Sequence, residues 1–177
     1  EVNGSPGYWV QVYRDGEMFG QVCLPNDRES GPTAAMAARA FRRLSWPVSG
    51  LSVEPPGGRT LVNLDTFYFT NNSAPTRRTI RLVGERVRIE AVPVSYRWHF
   101  GDGSSVRTSS PGGAYPEGDV VHVYEQPGEV SASVDTVYRG RFRLGGGPWR
   151  EIPGTLTVSG PAMVLSVMEA RPQLVNR

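Results

Sequence analysis

Polar and apolar residues alternate along much of this chain, and this pattern predicts a protein built mainly of β-strands. The alternation is strongest in Tyr96-Arg97-Trp98-His99-Phe100 and again in residues 131–138. Alternate positions of a strand share one face, so Tyr96, Trp98 and Phe100 predict an aromatic row that needs the interior of a sandwich or a barrel. Further strands are predicted at residues 60–70, 155–158 and 163–170.

The first 58 residues follow a different pattern. Residues 8–13 and 18–24 predict a hairpin around the turn at Asp15-Gly16. Residues 34–44 then predict a short helix, with its apolar side chains on one stripe and its arginines off it. We expect this stripe to pack on the protein itself; docking on an anionic membrane is the alternative. Pro-Pro-Gly-Gly at 55–58 breaks the chain, which predicts a hairpin and helix segment over 1–58 and a β-rich domain over 59–177.

A glycine-bracketed aspartate ends the aromatic strand. Gly101 and Gly103 can adopt positive φ, and the Asp102 side chain can accept hydrogen bonds from nearby backbone amides, so a tight turn is predicted. A second block follows at residues 122–130, which read HVYEQPGEV. We expect the two blocks to lie on neighbouring strands, with a structural hydrogen bond between Asp102 and His122. A metal site formed by histidines and carboxylates at this turn is the alternative.

The two blocks together resemble the PKD (polycystic kidney disease) domain over about residues 60–160. The resemblance implies an immunoglobulin-like antiparallel β-sandwich that lies in the cell envelope or outside the cell. Because the sequence starts at Glu1 and not at a methionine, we expect a signal or anchor to have been removed ahead of it. His99 stands where the family usually has aspartate, which argues against a metal-binding acidic cluster. The positions that match the family signature are Trp98, Phe100, Gly101, Asp102, Gly103, His122, Tyr124, Pro127, Gly128 and Val134.

Residues 139–150 are predicted to be an arginine-rich insertion in this domain, and residues 163–170 an extra C-terminal strand. Arginine alternates with other residues over 139–144, so one face of a hairpin that turns at residues 145–148 should be basic. Arginine beside tryptophan is typical of recognition surfaces. The alternative is an ordinary hairpin whose tryptophan folds back on the sandwich. The predicted partner-binding residues are Arg139, Arg141, Phe142, Arg143, Trp149 and Arg150.

Composition and the absence of known motifs exclude several classes of function. The 19 basic residues are all arginine, and the net charge of +2 is too small to indicate nucleic acid. Cys23 is the only cysteine, so an intrachain disulfide is excluded. No apolar run reaches the roughly 20 residues of a membrane-spanning helix. The sequence shows no P-loop, dinucleotide fingerprint, EF-hand or nucleophile motif, so we predict no enzyme, no catalytic residues, no metal and no cofactor.

We therefore predict a non-catalytic extracytoplasmic interaction or spacer protein. Its partner would be another protein of the envelope or of a secretion system. The alternative is an accessory module that binds cell-wall or other polysaccharide, with Trp149 or Tyr115 as the platform on which a sugar ring stacks. Nucleic acid is a weaker candidate than either, because the net charge is small.

Overall fold

The computed structural model describes residues 7–14, 16–25 and 31–170. Within these ranges the chain forms twelve strands and one helix. In chain order they are β1 (Gly7–Arg14), β2 (Glu17–Pro25), α1 (Ala34–Arg43), β3 (Ser52–Glu54), β4 (Arg59–Leu61), β5 (Asp65–Phe69), β6 (Thr76–Leu82), β7 (Glu85–His99), β8 (Ser105–Thr108), β9 (Val121–Val123), β10 (Gly128–Leu144), β11 (Arg150–Ser159) and β12 (Met163–Met168).

Two sheets packed face to face form an immunoglobulin-like sandwich. The smaller sheet has the order β3-β5-β9, and the larger has the order β4-β12-β10-β7, with β8 beside β7. The strand pairs are antiparallel except β4 with β12, which is parallel. Tyr96, Trp98 and Phe100 lie in the interior as predicted, against Tyr68 and Tyr124 of the smaller sheet's side. The predicted fold class is confirmed.

The strand β12 closes the larger sheet. It pairs with residues 128–132 of β10 and with β4, and it buries Leu165 and Val167. The last strand of an immunoglobulin-like sandwich lies beside the strand before it in the same sheet, which is the position of β12 next to β10. The sequence predicts residues 155–158 as the last strand of the sandwich and 163–170 as an addition. The pairing instead gives the closing position to β12, and β11 extends the sheet elsewhere.

The strands β7 and β10 continue beyond the sandwich and form a second layer. Residues 85–91 of β7 pair with β6, and residues 139–142 of β10 pair with the first half of β11. We call β6, residues 85–93 of β7, residues 138–144 of β10, and β11 the extended sheet. Its added strands lie in two connections of the sandwich: β6 between β5 and β7, and β11 between β10 and β12. Those two connections meet at one end of an immunoglobulin-like sandwich, so both additions extend the same end.

The helix α1 covers one face of the extended sheet. The Thr33 hydroxyl caps the helix by accepting a hydrogen bond from the Met36 amide at 3.3 Å. The buried stripe of the helix includes Phe41, which packs with Val87, Phe142 and other apolar side chains in a core separate from that of the sandwich. Gly140 allows this contact, because a Cβ there would lie 3.0 Å from the Phe41 ring. The prediction that the stripe packs on the protein itself is confirmed.

The N-terminal elements differ in how they join the domain. The strands β1 and β2 form the predicted hairpin, with Val10 opposite Val22, as a separate two-stranded sheet. The strand β3 lies before the boundary predicted at residue 58, yet it pairs with β5 inside the sandwich. The helix likewise shares its core with the extended sheet, so residues 34–54 contribute to the same packed unit as the strands that follow.

Candidate functional site

The larger sheet and its extension have one covered face and one uncovered face. Even-numbered residues of β10 face the covered side throughout, from Ala132 and Val134 in the sandwich core to Tyr138 and Phe142 in the core under α1. The smaller sheet and the helix therefore pack on the same side. Among the described residues, no helix or sheet packs on the opposite side.

Arginine dominates this uncovered face. Residues paired directly across neighbouring strands share a face, so the register assigns each side chain to one side. Over β6, β7, β8, β11 and residues 133–144 of β10, nine arginines and three acidic residues lie on the uncovered side, and we call this surface the arginine face. The arginines are Arg77, Arg81, Arg86, Arg88, Arg97, Arg107, Arg139, Arg141 and Arg143, and the acidic residues are Glu90, Asp135 and Glu151. Arg59 and Glu129 lie on the same side of the sheet, near its β4 edge.

Glu90 holds the centre of the arginine face in place. Its side chain is fully buried and accepts hydrogen bonds from Arg77 of β6 and from the Arg141 Nε of β10, the latter at 2.6 Å. Burial acts to raise the pKa of Glu90, but the two guanidinium groups outweigh it and hold the pKa below its ordinary value. One carboxylate thus ties three neighbouring strands together and fixes two of the arginines.

Trp149 lies against two arginines of the same face. Its ring centroid is 5.0 Å from the Arg141 Cζ and 4.7 Å from the Arg143 Cζ, which is the range of a cation–π contact. The Nε atom of Arg143 is buried and, within the part of the chain that the structure describes, has no hydrogen-bond partner. The tryptophan therefore belongs to the arginine face and does not fold back on the sandwich.

The glycine-bracketed turn has the contacts of a structural element. Asp102 accepts hydrogen bonds from the backbone amide and the hydroxyl of Ser104, at 2.9 and 2.6 Å, and bonds the His122 Nε2 at 2.6 Å. Burial acts to raise the pKa of Asp102, but these hydrogen bonds hold it below its ordinary value. The His122 ring stacks on Phe100 with centroids 4.1 Å apart. The predicted bond between Asp102 and His122 is present.

The two histidines do not come together. His99 lies on the arginine face and bonds Asp135 at 3.0 Å, whereas His122 bonds Asp102 at the end of the sandwich. Over residues 7–14, 16–25 and 31–170, no group of three or more histidine, cysteine, aspartate or glutamate side chains could hold a metal ion. The alternative of a metal site built from both histidines is therefore not supported by their placement.

Residues 66–136 match the family model of the PKD domain. This stretch is similar to PKD domains. The match runs from β5 into the middle of β10 and includes the glycine-bracketed turn, so the family predicted from the sequence is confirmed. PKD domains are non-catalytic immunoglobulin-like modules, typically extracellular, that often take part in protein or carbohydrate interactions. No curated protein matches the chain.

The predicted binding residues divide between the two sides of the sheet beyond the PKD match. Arg139, Arg141, Arg143 and Trp149 come together on the arginine face. Phe142 does not join them: it is 1% exposed and packs under α1, because it alternates with the arginines and faces the other way. Its assignment to partner binding is therefore corrected. Arg150 is exposed but lies opposite Phe142 in the register, on the covered side of the sheet at its edge.

Part of the arginine face lies within the PKD match and was not predicted from the sequence. Arg77 and Arg81 come from β6, and Arg86 and Arg88 come from the first part of β7. The available signal was the alternation of arginine with Val87 and Ile89, which places the arginines on one side of a strand.

None of the helices in the described ranges is long and apolar enough to cross a membrane.

The Glu90 ion pairs predict a defined dependence of stability on pH. Because the folded chain holds the pKa of Glu90 below its ordinary 4.5, the unfolded state binds more protons at mildly acidic pH. The stabilising contribution is therefore complete above about pH 5 and is lost as the pH falls through the folded-state pKa. We expect Glu90→Gln to lower the free energy of unfolding at neutral pH by about 2 kcal/mol, with the deficit shrinking towards about pH 3.

Urea denaturation of both proteins across this pH range would measure the effect. Glu85→Gln is the matched control, because Glu85 is an exposed carboxylate on the same strand, and it should change stability little at either pH. A Glu90→Gln deficit of equal size at both ends of the pH range would contradict the assigned role.

Proposed function

We propose that this protein is a non-catalytic extracytoplasmic interaction module that binds an acidic surface of another envelope, secreted or secretion-system protein through its arginine face. The observation that supports the proposal most strongly is the concentration of nine arginines, with Trp149 stacked among them, on the uncovered side of one sheet. The PKD domain supports the general class, since such modules often take part in protein interactions.

The arrangement of the arginines is unfavourable for the free protein. Arg88 lies directly opposite Arg143, Arg81 opposite Arg86, and Arg97 opposite Arg107. Like charges that face each other across strands destabilise a sheet. An inert spacer would gain nothing from three such pairs, whereas a surface that receives carboxylates would be relieved of the repulsion on binding.

The side-chain chemistry favours carboxylate recognition. The guanidinium group offers a planar fork of donors that binds carboxylates in pairs of parallel hydrogen bonds. Arginine and tryptophan are also the residues most enriched among those that dominate protein interfaces. The contacts of Trp149 with Arg141 and Arg143 hold the ring and both guanidinium groups in one cluster, which lowers the cost of ordering them at an interface.

A charge-reversal experiment would test the proposal. We expect Arg139→Glu combined with Arg143→Glu to weaken binding of a protein partner by about a hundredfold or more, because charged pairs across an interface are replaced by repulsion. The partner would be isolated by cross-linking the protein in envelope extracts treated with nuclease, and then measured as a purified pair. Arg141 is left intact, because it also binds Glu90.

The matched control is Arg39→Glu with Arg78→Glu. Both residues are exposed, and neither belongs to the arginine face, because Arg39 lies on α1 and Arg78 lies opposite Ile89 on the covered side of the sheet. The double variant has the same net charge as the test variant. The control should bind like the wild type. Equal binding by all three proteins, or the recovery of no protein partner at all, would contradict the proposal; a signal removed by the nuclease would point to nucleic acid instead.

A further inference from the structure

A cleft lies on the outer side of the smaller sheet, away from the arginine face. It encloses about 520 Å³, which is in the range of small-molecule sites. The strands β3 and β5 and the connections before β5 and before β9 supply its lining. Thr66 and Tyr68 of β5 are buried in the sandwich, so Phe67 between them faces outward into this cleft.

Tyr115 forms an exposed aromatic wall of the cleft. Its side chain is 70% exposed, and its ring meets Phe67 edge to face with centroids 5.5 Å apart. Its backbone amide donates a hydrogen bond to the Glu54 Oε2 at 2.7 Å, which ties the loop to β3. The ring is thus held at a fixed place while much of its surface stays open to solvent. No described residue hydrogen-bonds to its hydroxyl group.

The remaining lining combines an apolar surface with polar groups at its edge. Leu64 and two prolines extend the apolar surface formed by the aromatic rings, and Glu54, Asn63 and Asp65 supply carboxylate and amide groups. No described residue hydrogen-bonds to the side chains of Asn63 and Asp65. These groups are therefore free to accept or donate hydrogen bonds to a bound molecule.

We infer that this cleft binds the hexopyranose ring of a polysaccharide. A pyranose has C–H faces that pack on an aromatic ring and hydroxyl groups at its edge that need hydrogen-bond acceptors and donors. Tyr115 with Phe67 matches the first requirement, and Asn63 with the two carboxylates matches the second. A basic peptide side chain would use the carboxylates but would gain little from Leu64 and the prolines.

The cleft and the arginine face lie on opposite sides of the sandwich. The arginine face is the outer side of the larger sheet, and Phe67 faces outward from the smaller one. A ligand in the cleft therefore leaves the arginine face accessible. The site does not depend on the proposed protein interaction, and the two together would let one module connect a polysaccharide to a protein.

Binding of defined oligosaccharides would test the inference. Oligosaccharides of glucose, N-acetylglucosamine, mannose and galactose would be titrated into the full chain, with binding followed by NMR shift changes and calorimetry. We expect at least one of them to shift resonances of cleft residues, and Tyr115→Ala to weaken that binding about tenfold or more. Tyr115→Phe, which keeps the ring, should retain most of the affinity.

Two controls separate this site from other surfaces. Tyr13→Ala removes an exposed tyrosine on β1 and should leave sugar binding unchanged. Arg139→Glu with Arg143→Glu should also bind sugar normally, so failure of one proposal would not be confused with failure of the other. Absence of binding by every oligosaccharide, equal binding by Tyr115→Ala, or displacement of the sugar by a tetra-arginine peptide of higher affinity would overturn the inference.

Discussion

Gly101→Ala is expected to destabilise the protein by about 3 kcal/mol or more, whereas Gly103→Ala, two residues away, should cost only about 1–2 kcal/mol. Both glycines have positive φ, +86° and +95°, so an alanine is strained at either position. They differ in their surroundings. A Cβ at Gly101 would lie 2.5 Å from the backbone nitrogen and 2.6 Å from the backbone oxygen of Ser131, and a Cβ at Gly103 would meet nothing within 4 Å.

The difference in stability between the two variants separates the cost of the clash with Ser131 from the cost of a positive φ at an alanine. Ser131 belongs to β10, which pairs with both β7 and β12, so the clash cannot be relieved by moving one loop. Chemical denaturation of the two variants beside the wild type would give the free energies of unfolding. Equal losses in both variants would show that conformation alone requires glycine at this turn, and that the contact with β10 contributes nothing.

Phe41→Ala is expected to reduce the free energy of unfolding by about 3–4 kcal/mol, although Phe41 lies outside the PKD match. Its side chain is 2% exposed, packs on Gly140 of β10, and contacts the Trp46 ring with centroids 5.4 Å apart. The alanine would leave a cavity between the helix and the extended sheet, and the sheet cannot close it without moving β7 and β10.

Met36→Ala on the same helix is the control for this variant. Met36 is 39% exposed, so its truncation should change stability by no more than about 0.5 kcal/mol. Thermal and urea denaturation of both variants would measure the difference. If Phe41→Ala were as mild as Met36→Ala, the helix would be an accessory to the domain and not part of its core.

The sequence was sufficient to predict those elements of the fold that are determined by residues close together along the chain. Alternation predicted the aromatic row at Tyr96–Phe100, glycine chemistry predicted the turn that follows, and an apolar stripe predicted the helix. Alternation also separates Phe142 from the arginines on either side of it, although the sequence-based assignment grouped them together. A stricter use of the same rule would have excluded Phe142 from the binding surface.

Pairing between distant segments could not be predicted in the same way. Alternation shows which residues share a face of a strand but does not show which strand lies beside it. The pairing of Arg88 with Arg143, and therefore the extent of the arginine face, depends on register across 55 positions of sequence. The cleft likewise joins Glu54, Phe67 and Tyr115, which no local pattern connects.

The length of β10 has a consequence for recognition. This strand runs for 17 residues without interruption from the sandwich core to the arginine face. Antibody variable domains bind their ligands with loops at the end of the sandwich from which β10 extends here. Such loops lose conformational freedom when they bind. Here paired strands replace loops, so the arginine face is already rigid before it meets a partner. Recognition would then proceed as docking of a preorganised surface, with selectivity set by the spacing of charges on the partner.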